Sequence, residues 1–194
     1  MTSGRVSAVI LAGGRSDRFG RDKLAEPIDG RPLLQHAIDA VRPMASEIVV
    51  VVPPGDDPPL PPDVTLVHDA VAFDGPLAGL LAGLGAAHEP LVVVVGGDMP
   101  TLDVRVLGSM VAALGGGDGS AVVLEHEGRG RPLPMVIRRE PGLTAAERLI
   151  AGGERRLRAL ADALSASVLP ETEWRAIDPD GRTIRDIDTE ADLG

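Results

Sequence analysis

Near the start of the chain an apolar run at residues 6–11 opens onto Leu11-Ala12-Gly13-Gly14-Arg15-Ser16-Asp17-Arg18-Phe19-Gly20-Arg21-Asp22-Lys23. Two adjacent glycines let a backbone turn sharply and bring its N–H groups close to a phosphate chain. Arg15, Arg18, Arg21 and Lys23 then place four cations within nine residues, in a chain whose formal net charge is −10. This local reversal of charge suits a polyphosphate. The pattern is neither a P-loop, which needs Gly-Lys-Ser/Thr, nor the dinucleotide-binding G-x-G-x-x-G, so an NAD-dependent dehydrogenase is disfavoured. Glycines after a strand can also be a plain turn with solvated arginines; the cation cluster weighs against that.

A second group is Gly96-Gly97-Asp98-Met99-Pro100, directly after the valine run at 91–95. Open α/β sheets bind ligands at the carboxyl ends of their strands. A carboxylate there suits Mg²⁺, which takes one or two carboxylates and completes its shell with substrate phosphates. The competing reading is that Asp98 caps a helix beginning near Asp103. Asp186-Ile187-Asp188-Thr189 offers a second carboxylate from a distant segment. Helix capping is the simpler reading of Asp188 unless it meets Asp98 in space. Between these groups, Gly75, Gly79 and Gly83 thin one helix face, and His68 and Asp69 end a strand that reaches the same cleft.

These residues need elements to hold them. Runs at 6–11, 47–52, 64–67, 91–95, 121–125 and 134–138 read as strands, with a last one near 184–187. Helical spacing occurs at 33–41, 76–87, 103–114, 143–151 and 154–164. Near-continuous valine strands fit a parallel sheet covered on both faces. The expected architecture is one three-layer α/β/α domain over residues 1–194, with a mostly parallel Rossmann-like sheet. The Pro- and Asp-rich stretch at 53–63 reads as an exposed excursion.

Composition narrows the chemistry. No Cys is present, which excludes disulfides, thiol catalysis and zinc–thiolate sites. Four scattered His residues do not make a metal site. The acidic balance argues against nucleic acid or an anionic membrane as partner. With no signal-peptide pattern and no membrane-length apolar run, a cytoplasmic location is expected. One Trp, two Phe and no Tyr mean an aliphatic core and few rings on which a flat ligand could stack.

Together the segments resemble the molybdenum cofactor guanylyltransferase branch of the nucleotidyltransferase superfamily. LAGGRSDRFGRDK is similar to the superfamily signature L-A-G-G-x-S-x-R-x-G-x-D-K. GPLAGLLAGL, GGDMPTL, GERRLRAL and IRDIDTEADL follow in the family's order. The resemblance implies a fold of the nucleotide-diphospho-sugar transferase type and transfer of GMP from GTP to molybdopterin, with Mg²⁺ and release of pyrophosphate. It implies that Leu11, Ala12, Gly13 and Gly14 hold the nucleotide, chiefly through backbone contacts. Arg18 and Lys23 would grip the triphosphate, and Asp69 matches an acidic nucleotide-binding position. Asp98 matches the metal ligand. Asp188 would be a second ligand, although the family usually carries Asn there. Val51 stands where relatives can carry a polar residue, and Arg155 and Arg156 would meet the acceptor. Transient contact with molybdoenzymes or cofactor-insertion proteins is also implied.

Two alternatives stay open. A cytidylyltransferase of the same cofactor uses CTP; such relatives tend to have Ala at the position of Gly14 and a D-I-D-T-like ending. Gly14, GPLAG and GERR favour guanine, whereas Asp186 to Thr189 lean towards cytosine. A non-catalytic nucleotide-binding protein of the same fold is opposed by intact Lys23 and Asp98.

Overall fold

Valine-rich runs form the middle of a seven-stranded sheet in the computed structural model, which describes residues 6–13, 24, 27–28, 30–69 and 75–187. In chain order the first elements are β1 (Val6–Leu11), β2 (Pro27–Ile28), β3 (Arg31–Pro32), α1 (Leu33–Val41), β4 (Glu47–Val52) and β5 (Val64–His68). Next come α2 (Pro76–Ala86), β6 (Leu91–Gly96), α3 (Val104–Gly115), β7 (Ala121–His126) and β8 (Arg129–Arg138). The chain continues through α4 (Arg139–Ala151), α5 (Leu157–Ala163), β9 (Ser167–Leu169), α6 (Glu171–Trp174) and a 3₁₀ turn at Arg182–Ile184. The sheet order is β5-β4-β1-β6-β8-β7-β9, and β2 pairs with β3 separately. Strands β5, β4, β1 and β6 are mutually parallel; β8 runs antiparallel to both its neighbours.

Alternation along each strand divides the core into two layers. Ala8, Ile10, Val50, Val93 and Val95 face α1, α3 and the indole of Trp174. Val9, Val49, Val51, Val92 and Val94 face α2, α4 and α5. Full burial of each such side chain contributes about 1.5–3 kcal/mol. The three-layer α/β/α architecture expected from the valine runs is therefore present, and both faces are covered because neither is polar enough to meet water.

Helix α2 lies unusually close to the sheet. A Cβ on Gly83 would stand 2.5 Å from Val9 Cγ1 and 3.0 Å from Val51 Cγ2, so only glycine fits at this crossing. The close approach carries the N-terminal turns of α2, with Gly75 and Gly79, to the carboxyl edge of β1 and β4.

Several elements differ from expectation, β8 starting at Arg129 rather than 134 and α5 at Leu157 rather than 154. Helix α4 starts at Arg139 rather than 143, with Pro141 in its first turn, where the missing N–H has no intrahelical partner to lose. The strand expected near 184–187 is a 3₁₀ turn followed by an extended segment. Gly181 turns the chain at φ 64°, and the Asp178 carboxylate accepts from Thr183 N at 2.7 Å. The segment then bonds to the loop after β6. Thr101 Oγ1 donates to Arg182 O at 2.7 Å, Asp103 N donates to Thr183 Oγ1 at 3.1 Å, and Ile187 N donates to Asp98 O at 3.0 Å. No helix among the described residues is long and apolar enough to cross a membrane.

Candidate active site at the carboxyl edge of β1 and β6

From β1 the chain moves outward through β4 and β5, then returns to place β6 on the other side of β1. A crevice forms at such a reversal, outside the carboxyl ends of the two strands. Leu11–Gly13 and Gly96–Asp98 meet there. Gly97 N donates to Leu11 O at 2.9 Å, and Ala12 N donates to Val51 O at 2.8 Å, extending the ladders past the strand ends. A Cβ on Gly97 would meet Leu34 Cδ1 at 3.3 Å and Ala12 Cα at 3.4 Å, so a side chain at 97 would press the two strand ends apart.

Asp98 is not a helix cap. Asp103 caps α3, accepting from Arg105 N at 2.8 Å. The Arg105 guanidinium grips the same carboxylate through Nε and Nη2, holding it below the usual carboxylate range. The Asp98 carboxylate instead folds back over the end of β6: a Cβ on Gly96 would lie under 3.0 Å from Asp98 Oδ1. Glycine at 96 therefore cradles this acid at the mouth of the crevice. Among the described residues no group of three or more His, Asp or Glu could hold a metal by itself. One carboxylate completed by substrate oxygens is a donor set that suits Mg²⁺ better than Zn²⁺ or Ca²⁺.

Asp69 follows β5, its N–H bonded to Val52 O at 2.8 Å. A Cβ on Gly79 would stand 3.7 Å from Asp69 Oδ2, 3.6 Å from Val51 Cγ1 and 3.9 Å from Leu11 Cδ2. Leu11, Val51, Asp69 and the bare face of α2 thus converge on one slot, with Val51 almost wholly buried beneath it. Neighbouring His68 turns elsewhere: its Nε2 lies 3.1 Å from Asp56 O and 3.3 Å from Asp57 Oδ1, anchoring the 53–63 loop.

The GERR segment organises itself. The Glu154 carboxylate binds Arg156 Nε and Nη2 at 2.9 and 2.7 Å, and accepts the backbone N–H groups of Arg155 and Arg156. Arg156 and these N–H groups lower Glu154 to a pKa of about 2. Arg155 Nη1 donates to the carbonyls of Ile150 and Glu154, while its own carbonyl accepts from Leu77 N at 3.2 Å. Gly75, at φ 92°, leaves room for this contact: a Cβ there would stand 2.9 Å from Arg155 Cβ.

The structure thus brings together Leu11, Ala12, Gly13, Asp69 and Asp98, with Arg155 beside the start of α2. Gly14, Arg18, Lys23 and Asp188 lie outside the described residues. One pair was not anticipated from the sequence. Arg131, early in β8, donates from Nη2 to Asp186 Oδ1 at 3.0 Å and from Nε to Leu133 O at 3.1 Å. It holds the C-terminal segment one residue before Ile187 reaches Asp98. Fifty-five residues separate the pair, and no local spacing in the sequence marks it.

Comparison with known proteins gives the family. The model of the MobA-like NTP transferase domain matches residues 8–168. A Chloroflexus aggregans protein named probable molybdenum cofactor guanylyltransferase is 34% identical over 97% of this chain and 91% of its own length. A Pseudomonas putida protein named molybdenum cofactor guanylyltransferase is 36% identical over 78% of this chain and 79% of its own. Among solved structures, molybdopterin-guanine dinucleotide biosynthesis protein A from Archaeoglobus fulgidus has the same fold. It superposes with a TM-score of 0.79 at 21% identity, covering 96% of this chain and 94% of that one. The chain belongs to the MobA-like NTP transferase domain family and is a nucleotidyltransferase.

Proposed function

We propose that this nucleotidyltransferase acts in molybdenum cofactor biosynthesis, transferring GMP from GTP to molybdopterin and releasing pyrophosphate, with Mg²⁺. The names of its relatives support the pathway. The observation that carries the chemistry is the placement of Asp98 over Gly96, one hydrogen bond from the Leu11 turn. The acid read as the metal ligand and the turn read as the nucleotide cradle are held to one another by the sheet, which supports the reading.

The strand ladders use Leu11 C=O and Ala12 N–H, so contact with the nucleotide falls to Ala12 C=O and Gly13. A carboxylate at Asp69 would suit the adjacent N1–H and N2–H₂ donors of guanine. Arg18 and Lys23 would neutralise the triphosphate and the departing pyrophosphate. Asp98, with Asp188 beyond Ile187, would hold the Mg²⁺, which supplies further neutralisation of charge on the phosphates. No protein nucleophile is needed. An oxygen of the acceptor's terminal phosphate forms the new bond to the α-phosphorus of GTP. The bond from that phosphorus to the α,β-bridging oxygen breaks, and its electron pair leaves with pyrophosphate. The protein's share is alignment and fixed charge, as in phosphoryl transfer generally. The reading carries with it a cytoplasmic site of action and transient contact with molybdoenzymes or insertion proteins.

The runner-up is CTP as donor, favoured by the D-I-D-T ending. The site itself is tested by Asp98→Ala. The expected result is a loss of about 10²-fold or more in kcat for pyrophosphate release, with circular dichroism and Tm close to the parent. Parent-like turnover in a folded Asp98→Ala protein would remove Asp98 from the active site.

A further inference from the structure

On the antiparallel side of the sheet, β7 and β8 form a hairpin turned by Glu127 at φ 52° and Gly128 at φ 74°. Between this hairpin and α5 lies an open hollow of about 680 Å³, within the range of small-molecule sites. His126, Arg129, Arg131, Arg158 and Asp186 contribute its polar groups, with Glu127 at its rim. Three guanidinium groups thus converge in a chain of net charge −10. Arg131 is paired with Asp186, whereas Arg129 and Arg158 have no acidic partner among the described residues. Both are exposed.

The hollow lies on the side of the carboxyl end of β6, because β8 pairs with that strand from Met135 onwards and Arg131 precedes the pairing. Asp186 lines it, and the next residue, Ile187, bonds to the Asp98 carbonyl. An acceptor whose terminal phosphate sits at Asp98 would thus have the Asp186 wall of the hollow one residue away along the chain. The acceptor's ring system needs flat surfaces, and the chain has few. Trp174 is fully buried, its Nε1 donating to Glu125 O at 2.8 Å. Both phenylalanines, Phe19 and Phe73, lie outside the described residues. A guanidinium is planar, charged and weakly hydrated, and it stacks on conjugated rings as an ammonium cannot.

We propose that this hollow is the ring pocket for the acceptor, a phosphorylated, anionic heterocycle, and that Arg129 and Arg158 hold the ring by stacking and charge. Arg131, clamped by Asp186 and Leu133 O, forms the wall nearest Asp98. The inference rests on molybdopterin being the acceptor. It places the ring apart from Arg155 and Arg156, whose guanidinium groups bond to the carbonyls of Ile150 and Glu154 and to the Glu154 carboxylate.

The test is steady-state kinetics of Arg158→Ala, Arg158→Lys and Arg129→Ala with GTP, Mg²⁺ and molybdopterin, together with direct fluorescence titration of a pterin phosphate. Arg158→Ala is expected to raise the KM for the acceptor, and the dissociation constant of the pterin phosphate, about tenfold. The KM for GTP should stay within twofold. Lysine at 158 should recover only part of the loss, because it restores charge without a plane. An acceptor KM within twofold of the parent in both alanine variants would overturn the pocket while leaving the guanylyltransferase reading intact. A parent protein that cannot turn over molybdopterin would overturn that reading, and the pocket with it.

Discussion

Replacing Gly96 with Ala should separate the fold from the chemistry. Gly96 does not have positive φ, so alanine can adopt its backbone conformation. Its new methyl group would meet Met99 Cγ at 3.3 Å, a contact that a flexible side chain can relieve. Against Asp98 Oδ1 the approach is under 3.0 Å, tighter than carbon and oxygen tolerate, so the carboxylate must retreat. A retreat of roughly 0.5–1 Å is enough, and a misplacement of about 1 Å in a positioned group can cost on the order of 10²-fold in rate. We therefore expect Gly96→Ala to lose about 10- to 100-fold in kcat and to need more Mg²⁺ for half-maximal rate, with Tm within a few degrees of the parent. The assay is pyrophosphate release at saturating GTP and acceptor across a Mg²⁺ titration. Gly108→Ala is the control. Nothing lies within 4 Å of a Cβ at that helical position, so this variant should gain about 0.5–1 kcal/mol and keep full activity. A Gly96→Ala protein with the parent's rate and the parent's Mg²⁺ dependence would refute the cradle.

Two further predictions concern the scaffold. Gly83→Ala forces a methyl group against Val9 and Val51, branched side chains rooted in adjacent strands. It should cost about 1–3 kcal/mol, with Tm falling roughly 2–4 °C per kcal/mol in a chain of this size, as differential scanning calorimetry would show; an unchanged Tm would refute the close approach of α2. Glu154→Gln removes the carboxylate whose pKa is lowered to about 2 by Arg156 and the backbone N–H groups. Stability from this group is present above its unfolded value of about 4.5 and is lost as pH falls towards 2. The Tm gap between parent and Glu154→Gln should accordingly be full at pH 5 and close across that window; a gap that is constant with pH would count against the pairing.

The parallel half of the sheet could be read from the sequence because its strands are buried on both faces. Val6–Leu11, Glu47–Val52 and Leu91–Gly96 are continuous apolar runs, and the spacing of Leu33, Leu34, Ala37, Ile38 and Val41 matches the buried face of α1. Elements of two to four residues, such as β2, β3, β9 and α6, carry too few positions to show any period. The 184–187 segment misled for another reason. Its apolar Ile184 and Ile187 are buried, as in a strand, yet its hydrogen bonds go to the loop after β6. The same limit applies to the site. The position of Asp98 and Asp69 at the carboxyl edge was legible because each follows a valine-rich or apolar strand, where α/β sheets present ligands. That Asp98 is not the cap of α3 depended on Asp103, five residues on, taking that role. Arg131 and Arg158 were invisible, since only the antiparallel insertion of β8 and the packing of α5 place them around one hollow. In GERR the sequence showed two cations, and only the structure shows that Glu154 pairs with Arg156.

The most direct measurement of the central claim is a side-by-side assay of GTP and CTP with Mg²⁺ and molybdopterin, following pyrophosphate release and identifying the dinucleotide product. Release with GTP alone and a product containing guanine are expected. Release with CTP alone would keep the crevice and Asp98 at its mouth but contradict the assignment of the base. Absence of release with either nucleotide, from folded protein and intact acceptor, would contradict the molybdopterin assignment itself.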